Sequence, residues 1–242
     1  MGRRGYDWGV NPSIGQRLAS VVAVAATPCV VIAVAVILFL NPVWVAFDQG
    51  RSDVAGLTGY TPAQVQSVTG SILSDLVFGP PNFAVPLTPG GPPILDDHER
   101  SHMADVRSVI LGLGLIALIA AVLLVGAGVA ARGRRWFWRS VALGGRILAV
   151  GVVVVGIAFA LFFDQAFETF HEIFFPAGTY TFDPRTEKLV QLFPDQFWSE
   201  TSVAIAVAIL ILAVATTAVA TRLGREFETD PERQTRAGSW LP

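Results

Sequence analysis

The chain has three histidines, His98, His102 and His171, each in a stretch that also carries carboxylates at helical spacing. In LDDHERSHMADVRSVI, His98, His102 and Asp105 stand at i, i+4 and i+7. In FFDQAFETFHEIFF, Asp164, Glu168 and His171 repeat that interval. Residues so spaced share one face of a helix. Imidazole titrates near 6.5, so a face of imidazole and carboxylate suits proton transfer at neutral pH. His98 and His102, with His171 and a Glu, could instead form a zinc site, although no HExxH signature is present. A plainer reading makes both stripes the solvated ends of helices. The single cysteine, Cys29, excludes an intramolecular disulfide and reads as a small hydrophobe within an apolar run.

The elements that must position these stripes are membrane spans. Of the 242 residues, 52% are hydrophobic and only 15% charged, against roughly a quarter charged in soluble domains. Four apolar runs, about Leu18–Leu40, Val109–Ala131, Ile147–Phe163 and Val203–Ala220, approach the roughly 20 residues that cross a hydrocarbon core. The first has a basic flank (Arg3, Arg4, Arg17) but is longer than a signal-peptide core and is followed by no small-x-small cleavage site, so it reads as a retained anchor. Pro28 is expected to kink it, with neighbouring helices covering the freed carbonyl. The expected division is 1–17, a cytoplasmic N-terminus; spans at 18–40, 108–131, 147–163 and 202–221; cap segments at 41–107 and 164–201; a basic loop at 132–146; and a loose tail at 222–242.

Charge orients this arrangement. The two ends and the 132–146 loop hold twelve Lys/Arg against five Asp/Glu, while the two long connections hold five against fourteen. The positive-inside rule places both termini in the cytoplasm and the connections outside the membrane. Trp136 and Trp138 are expected at the inner interface, Trp44 and Trp198 at the outer one. The Arg-rich loop is explained by topology, and nothing requires nucleic acid.

The fold class is therefore an all-α membrane protein with four transmembrane helices and a small extracytoplasmic cap. In the cap, Thr61 and Pro62 start a helix whose Val65, Val68, Ile72 and Leu76 share a face. Asp96 or Asp97 caps a second helix that runs without a break into the second span. The third span is expected to run on through FFDQAFETFHEIFF until Pro176 and Gly178 stop it, and a short β-hairpin could form around Asp183-Pro184. Gly112, Gly114, Gly126 and Gly128, with Gly144, Gly145, Gly151 and Gly156, suggest close helix packing, with a lateral lipid crevice as the alternative.

SHMADVRSV entering a span, then FHEIFF and FPDQFW between the last two spans, resembles the bacterial lipoprotein intramolecular transacylases over most of the chain. The resemblance implies an acyltransferase that moves the sn-2 acyl chain of a lipoprotein's diacylglyceryl-cysteine onto that cysteine's own α-amine, giving the lyso form. It implies catalytic roles for His102 and His171, the histidines that match the family's motifs; His98 has no such counterpart, and Arg107 stands where Lys is usual. One imidazole would take the proton of the amine, and the other would hydrogen-bond the oxyanion or protonate the departing glycerol oxygen. Asp105 and Glu168 would support them. The expected partners are diacylglyceryl-modified lipoproteins and membrane lipids; no cofactor or metal is expected, and the chain is expected to act as a monomer. The alternatives are a non-catalytic scaffold with a partner-binding cap and a metal-dependent membrane hydrolase.

Overall fold

The structure, a computed structural model, describes residues 13–229. The Arg3 and Arg4 flank and the expected loose tail from residue 230 onward lie outside the described residues. Nine helices are present among the described residues: α1 Ile14–Phe39, α2 Pro42–Arg51, α3 Val54–Thr58, α4 Pro62–Val77, α5 Asp97–Ala131, α6 Arg135–Leu161, α7 Phe163–Phe174, α8 Lys188–Leu192 and α9 Asp195–Thr229. Of these, α1, α5, α6 and α9 are long and apolar enough to cross a membrane. No strand occurs among the described residues, only an isolated bridge between Pro86 and Pro93. The hairpin expected at Asp183-Pro184 is replaced by a turn, in which Asp183 accepts from the backbone N–H and the guanidinium of Arg185.

The spans bundle around α1, which meets α5, α6 and α9, while α6 and α9 form the most extensive pair. Pro28 removes the N–H that would bond the Val24 carbonyl. Gly144 of α6 sits against that oxygen so closely that a Cβ there would lie 2.6 Å from it. On the other side of the same turn, a Cβ on Gly145 would meet Thr217 Oγ1 of α9 at 2.5 Å. The glycine pair thus lets three helices approach at one level, beside the layer of Val31, Ala35, Leu148, Ile209 and Ala213. Gly128 packs on Phe137 across the tight α5–α6 turn. By contrast, Gly112, Gly114, Gly126, Gly151 and Gly156 face open space, so close packing accounts for three of the eight glycines and not the rest.

At one end of the bundle, α2, α3, α4, α8 and the outer turns of α5 enclose a separate core of Val65, Val68, Ile72, Leu76, Phe83, Leu95, Met103 and Leu192. Thr61 and Gln64 close the capping box of α4, whose Val65, Val68, Ile72 and Leu76 lie in this core. Arg107 caps the other end of α4, its guanidinium donating to the carbonyls of Asp75 and Gly79. Arg51 pairs with Glu200 at 2.6 Å, and Thr201 Oγ1 donates to the buried Asp48 while accepting from Trp44 Nε1, joining α2 to α9.

The third span does not continue through the aromatic segment. The helix breaks at Phe162 (φ −137°, ψ 47°), and α7 starts afresh. At about 100° per residue, Phe163, Ala166, Phe167, Phe170, Ile173 and Phe174 fall on one side of α7, with Asp164, Gln165, Glu168, Thr169 and Glu172 on the other. A straight continuation of α6 would carry that polar side along the bundle axis. Beyond the break, the amphipathic helix has no residue fully buried.

Candidate active site

Two helices present the imidazoles. On α5, Asp96 accepts from the Glu99 N–H at 2.8 Å and Glu99 returns the bond at 2.7 Å, forming a capping box. The other oxygen of Glu99 accepts from the Leu189 N–H at 2.6 Å, tying the first turn of α5 to α8. Glu99 is 2% exposed, and that burial raises its pKa against the lowering influence of the two backbone N–H groups. His102 follows one turn later and is 6% exposed.

His102 is walled by rings, with Phe175 at 4.7 Å, Phe182 at 5.3 Å and His171 at 6.0 Å, the two imidazoles lying 22° from parallel. Its Nδ1 is buried without a protein partner. Burial, then the neighbouring His171 and His98, push its pKa down to about 4. His102 is thus a neutral imidazole at pH 7, with one N–H to donate.

His171 is on α7, at the border between the phenylalanine face and the acidic one. Its Nδ1 lies 2.8 Å from the Phe167 carbonyl. A carbonyl can only accept, so Nδ1 bears a proton, and in the neutral ring the lone pair is on Nε2. Phe167, Tyr180 and Phe175 surround the ring at 4.3, 5.3 and 5.4 Å. The two histidines do not hydrogen-bond each other, yet they stand close enough for one reacting centre to touch both.

The structure brings His102 and His171 together and leaves their expected supporters apart. Asp105 is half-buried and Glu168 exposed, and neither hydrogen-bonds an imidazole. The support comes from residues that carboxylate spacing does not reveal: Phe175, Phe182 and Tyr180 as walls, the Phe167 carbonyl as the group fixing the tautomer, and Glu99 as the anchor of the helix. Tyr180 and Phe182 alternate in AGTYTFDP, a period-two cue within the aromatic-rich segment. His98 reaches out of α5 to the Gly178 carbonyl at 3.2 Å. Among the described residues no three His, Cys, Asp or Glu side chains converge to hold a metal ion. A groove of about 340 Å³ beside Pro81, Asp97 and Arg100 lies on another face of α5, away from the imidazoles. Beside His171, α7 exposes Phe170 (41%), Ile173 (69%) and Phe174 (48%).

The family model described as lipoprotein intramolecular transacylase Lit matches residues 21–198, a stretch that includes both imidazoles. The fold is similar to the in meso structure of the membrane integral lipoprotein intramolecular transacylase Lit from Bacillus cereus, with a TM-score of 0.76 at 17% identity, covering 89% of this chain and 99% of that one. Two variants of that protein, with a histidine changed to arginine or to alanine, match with TM-scores of 0.73 and 0.74 at 16% identity, over 88% and 89% of this chain and 93% and 96% of theirs. No curated protein matches the chain significantly. The match over residues 21–198 spans well over half of the chain, which belongs to the lipoprotein intramolecular transacylase family.

Proposed function

We propose that the chain transfers the sn-2 acyl chain of a lipoprotein's diacylglyceryl-cysteine to the α-amine of the same cysteine, and that His171 and His102 perform the step. The observation that supports this most is the pair of unlike imidazoles, 6.0 Å apart on separate helices: a free Nε2 lone pair on His171 and a neutral, desolvated His102.

A free α-amine titrates at about 8 and attacks only when neutral. Its nitrogen adds to the sn-2 ester carbonyl as His171 Nε2 takes the proton it loses. His102 donates its N–H to the oxyanion of the tetrahedral intermediate, a role suited to an imidazole that stays neutral. The bond to the glycerol oxygen then breaks, and that oxygen takes the proton back from His171. An amide and a free hydroxyl result, with no water consumed and no cofactor needed. Both reacting groups belong to one substrate molecule, and well-oriented intramolecular reactions reach effective molarities of about 10⁵–10⁸ M. The remaining work is to fold the two arms of the substrate together at the lipid surface, where the Phe face of α7 accepts acyl chains.

The charge distribution supports a cap outside the bacterial cell membrane and both termini inside, with spans near 18–40, 108–131, 147–163 and 202–221. The site draws both histidines from one chain, which supports a monomer. A synthetic diacylglyceryl-cysteinyl peptide with a deuterated sn-2 chain tests the reaction on the purified protein in lipid. The label is expected on the amine. Label released as free fatty acid would make the protein a hydrolase and overturn the proposal.

A further inference from the structure

His98 is the one imidazole that the transfer chemistry leaves unused. It stands one turn before His102 on α5, and its Nε2 lies 3.2 Å from the Gly178 carbonyl, to which it donates. Its Nδ1 faces Glu187 Oε1 at 3.6 Å. Its ring packs on Phe182 at 4.8 Å, and Phe182 lies in turn 5.3 Å from the ring of His102. Gly178 has a φ of +83°, which a side chain would strain, so the direction of its carbonyl is fixed by the turn. Glu187 accepts from the Asp183 N–H, which fixes the other end of the same connection. His98 therefore hydrogen-bonds one end of the 178–187 segment and stands beside Glu187 at the other, and that segment carries Tyr180 against His171 and Phe182 against His102.

We propose that His98 is a positioning residue of the transfer site: it fastens the 178–187 connection across α5 so that Phe182 and Tyr180 stay against the two reacting imidazoles. This rests on the transacylase reading. The ionisable groups around His98 are Glu187 on the connection, His102 on its own helix and the buried Glu99, which feels Glu187; His171 lies beyond His102 on α7. A residue serving stability alone would leave the titration of His102 and the turnover of folded enzyme unchanged.

With three histidines in the chain, ring-nitrogen NMR of ¹⁵N-histidine-labelled protein in phospholipid nanodiscs can follow each imidazole. In His98→Ala, His102 is expected to titrate upward from about 4 towards the ordinary value as Phe182 withdraws. Turnover should fall roughly tenfold or more with KM little changed, since misplacing a reacting group by 1 Å can cost about a hundredfold. His98→Gln sets an amide N–H near the place of Nε2 and should restore most of both. Loss of the imidazole alone would move the two variants equally, so their difference reports the fastening. Phe182→Leu leaves both polar contacts of His98 in place and should reproduce the His102 shift even if His98→Ala does not fold. Equal behaviour of the Ala and Gln variants, or an unshifted His102 in Phe182→Leu, would overturn the proposal. If the unaltered protein transfers no acyl chain, the transacylase reading fails, and the His102 titrations still decide the role of His98.

Discussion

At the scale of the residue, the two histidines differ because their surroundings differ. His102 is sealed among rings and its pKa is pushed down to about 4, whereas His171 has its tautomer set by a carbonyl one turn back. The depressed value couples to stability. Above pH 6.5 His102 is neutral whether the protein is folded or unfolded, and the fold keeps its full stability. Between pH 6.5 and about 4 the unfolded chain takes up a proton that the folded one refuses, so stability falls as pH falls, by on the order of 3 kcal/mol in all. Replacing His102 with Gln is expected to remove this loss, seen as a melting temperature that declines less between pH 7 and pH 4 than that of the unaltered protein. Equal declines would mean that His102 is not desolvated. The spacing of His98, His102 and Asp105 put them on one stretch of α5, but spacing carries no information about burial, and Asp105 hydrogen-bonds no imidazole. The walls from Phe175, Phe182 and Tyr180 depend on a long connection folding back, which no local periodicity encodes.

At the scale of the element, the continuous α5 was legible because a capping Asp at 96 or 97 stands just ahead of an unbroken helical pattern; Asp96 is the cap. The break at Phe162 was not, because FALFFDQAF contains neither Pro nor Gly to mark it. The apolar and acidic sides of α7 show only once the helix is known to start afresh at Phe163. The glycines teach a similar lesson. Their number suggested close packing, with a lipid crevice as the alternative, and only those facing a partner at close range are constrained. Gly144→Ala would drive a Cβ to 2.6 Å from the Val24 carbonyl and is expected to cost about 1–3 kcal/mol, the usual range for overpacking. Gly156→Ala meets nothing within 4 Å and is expected to be neutral or slightly stabilising in its helix. Thermal melting of the two variants side by side in the same detergent checks this, and equal melting temperatures would contradict the close approach beside Pro28.

At the scale of the whole molecule, the four spans and the cap were legible from apolar run length, while the cap's own core was only partly so. Val65, Val68, Ile72 and Leu76 announced a buried face, but its partners Phe83, Leu95 and Leu192 come from loops and short helices without periodicity. Orientation is checked with a membrane-impermeant thiol reagent on intact cells: Arg185→Cys, in the cap, is expected to react, and Arg132→Cys, in the α5–α6 turn, to react only after lysis. The reverse pattern would invert the topology and put the imidazoles on the wrong side for an exported substrate. The central claim is that paired imidazoles move an acyl chain within one lipoprotein, and mass spectrometry of a lipoprotein's N-terminal lipopeptide from expressing cells tests it most directly. The diacylglyceryl form should become the lyso form with the unaltered protein, and His171→Ala should lower the rate of that conversion by roughly 10²–10⁴-fold, the usual worth of a general base. Full conversion at an undiminished rate by both His171→Ala and His102→Ala would contradict it.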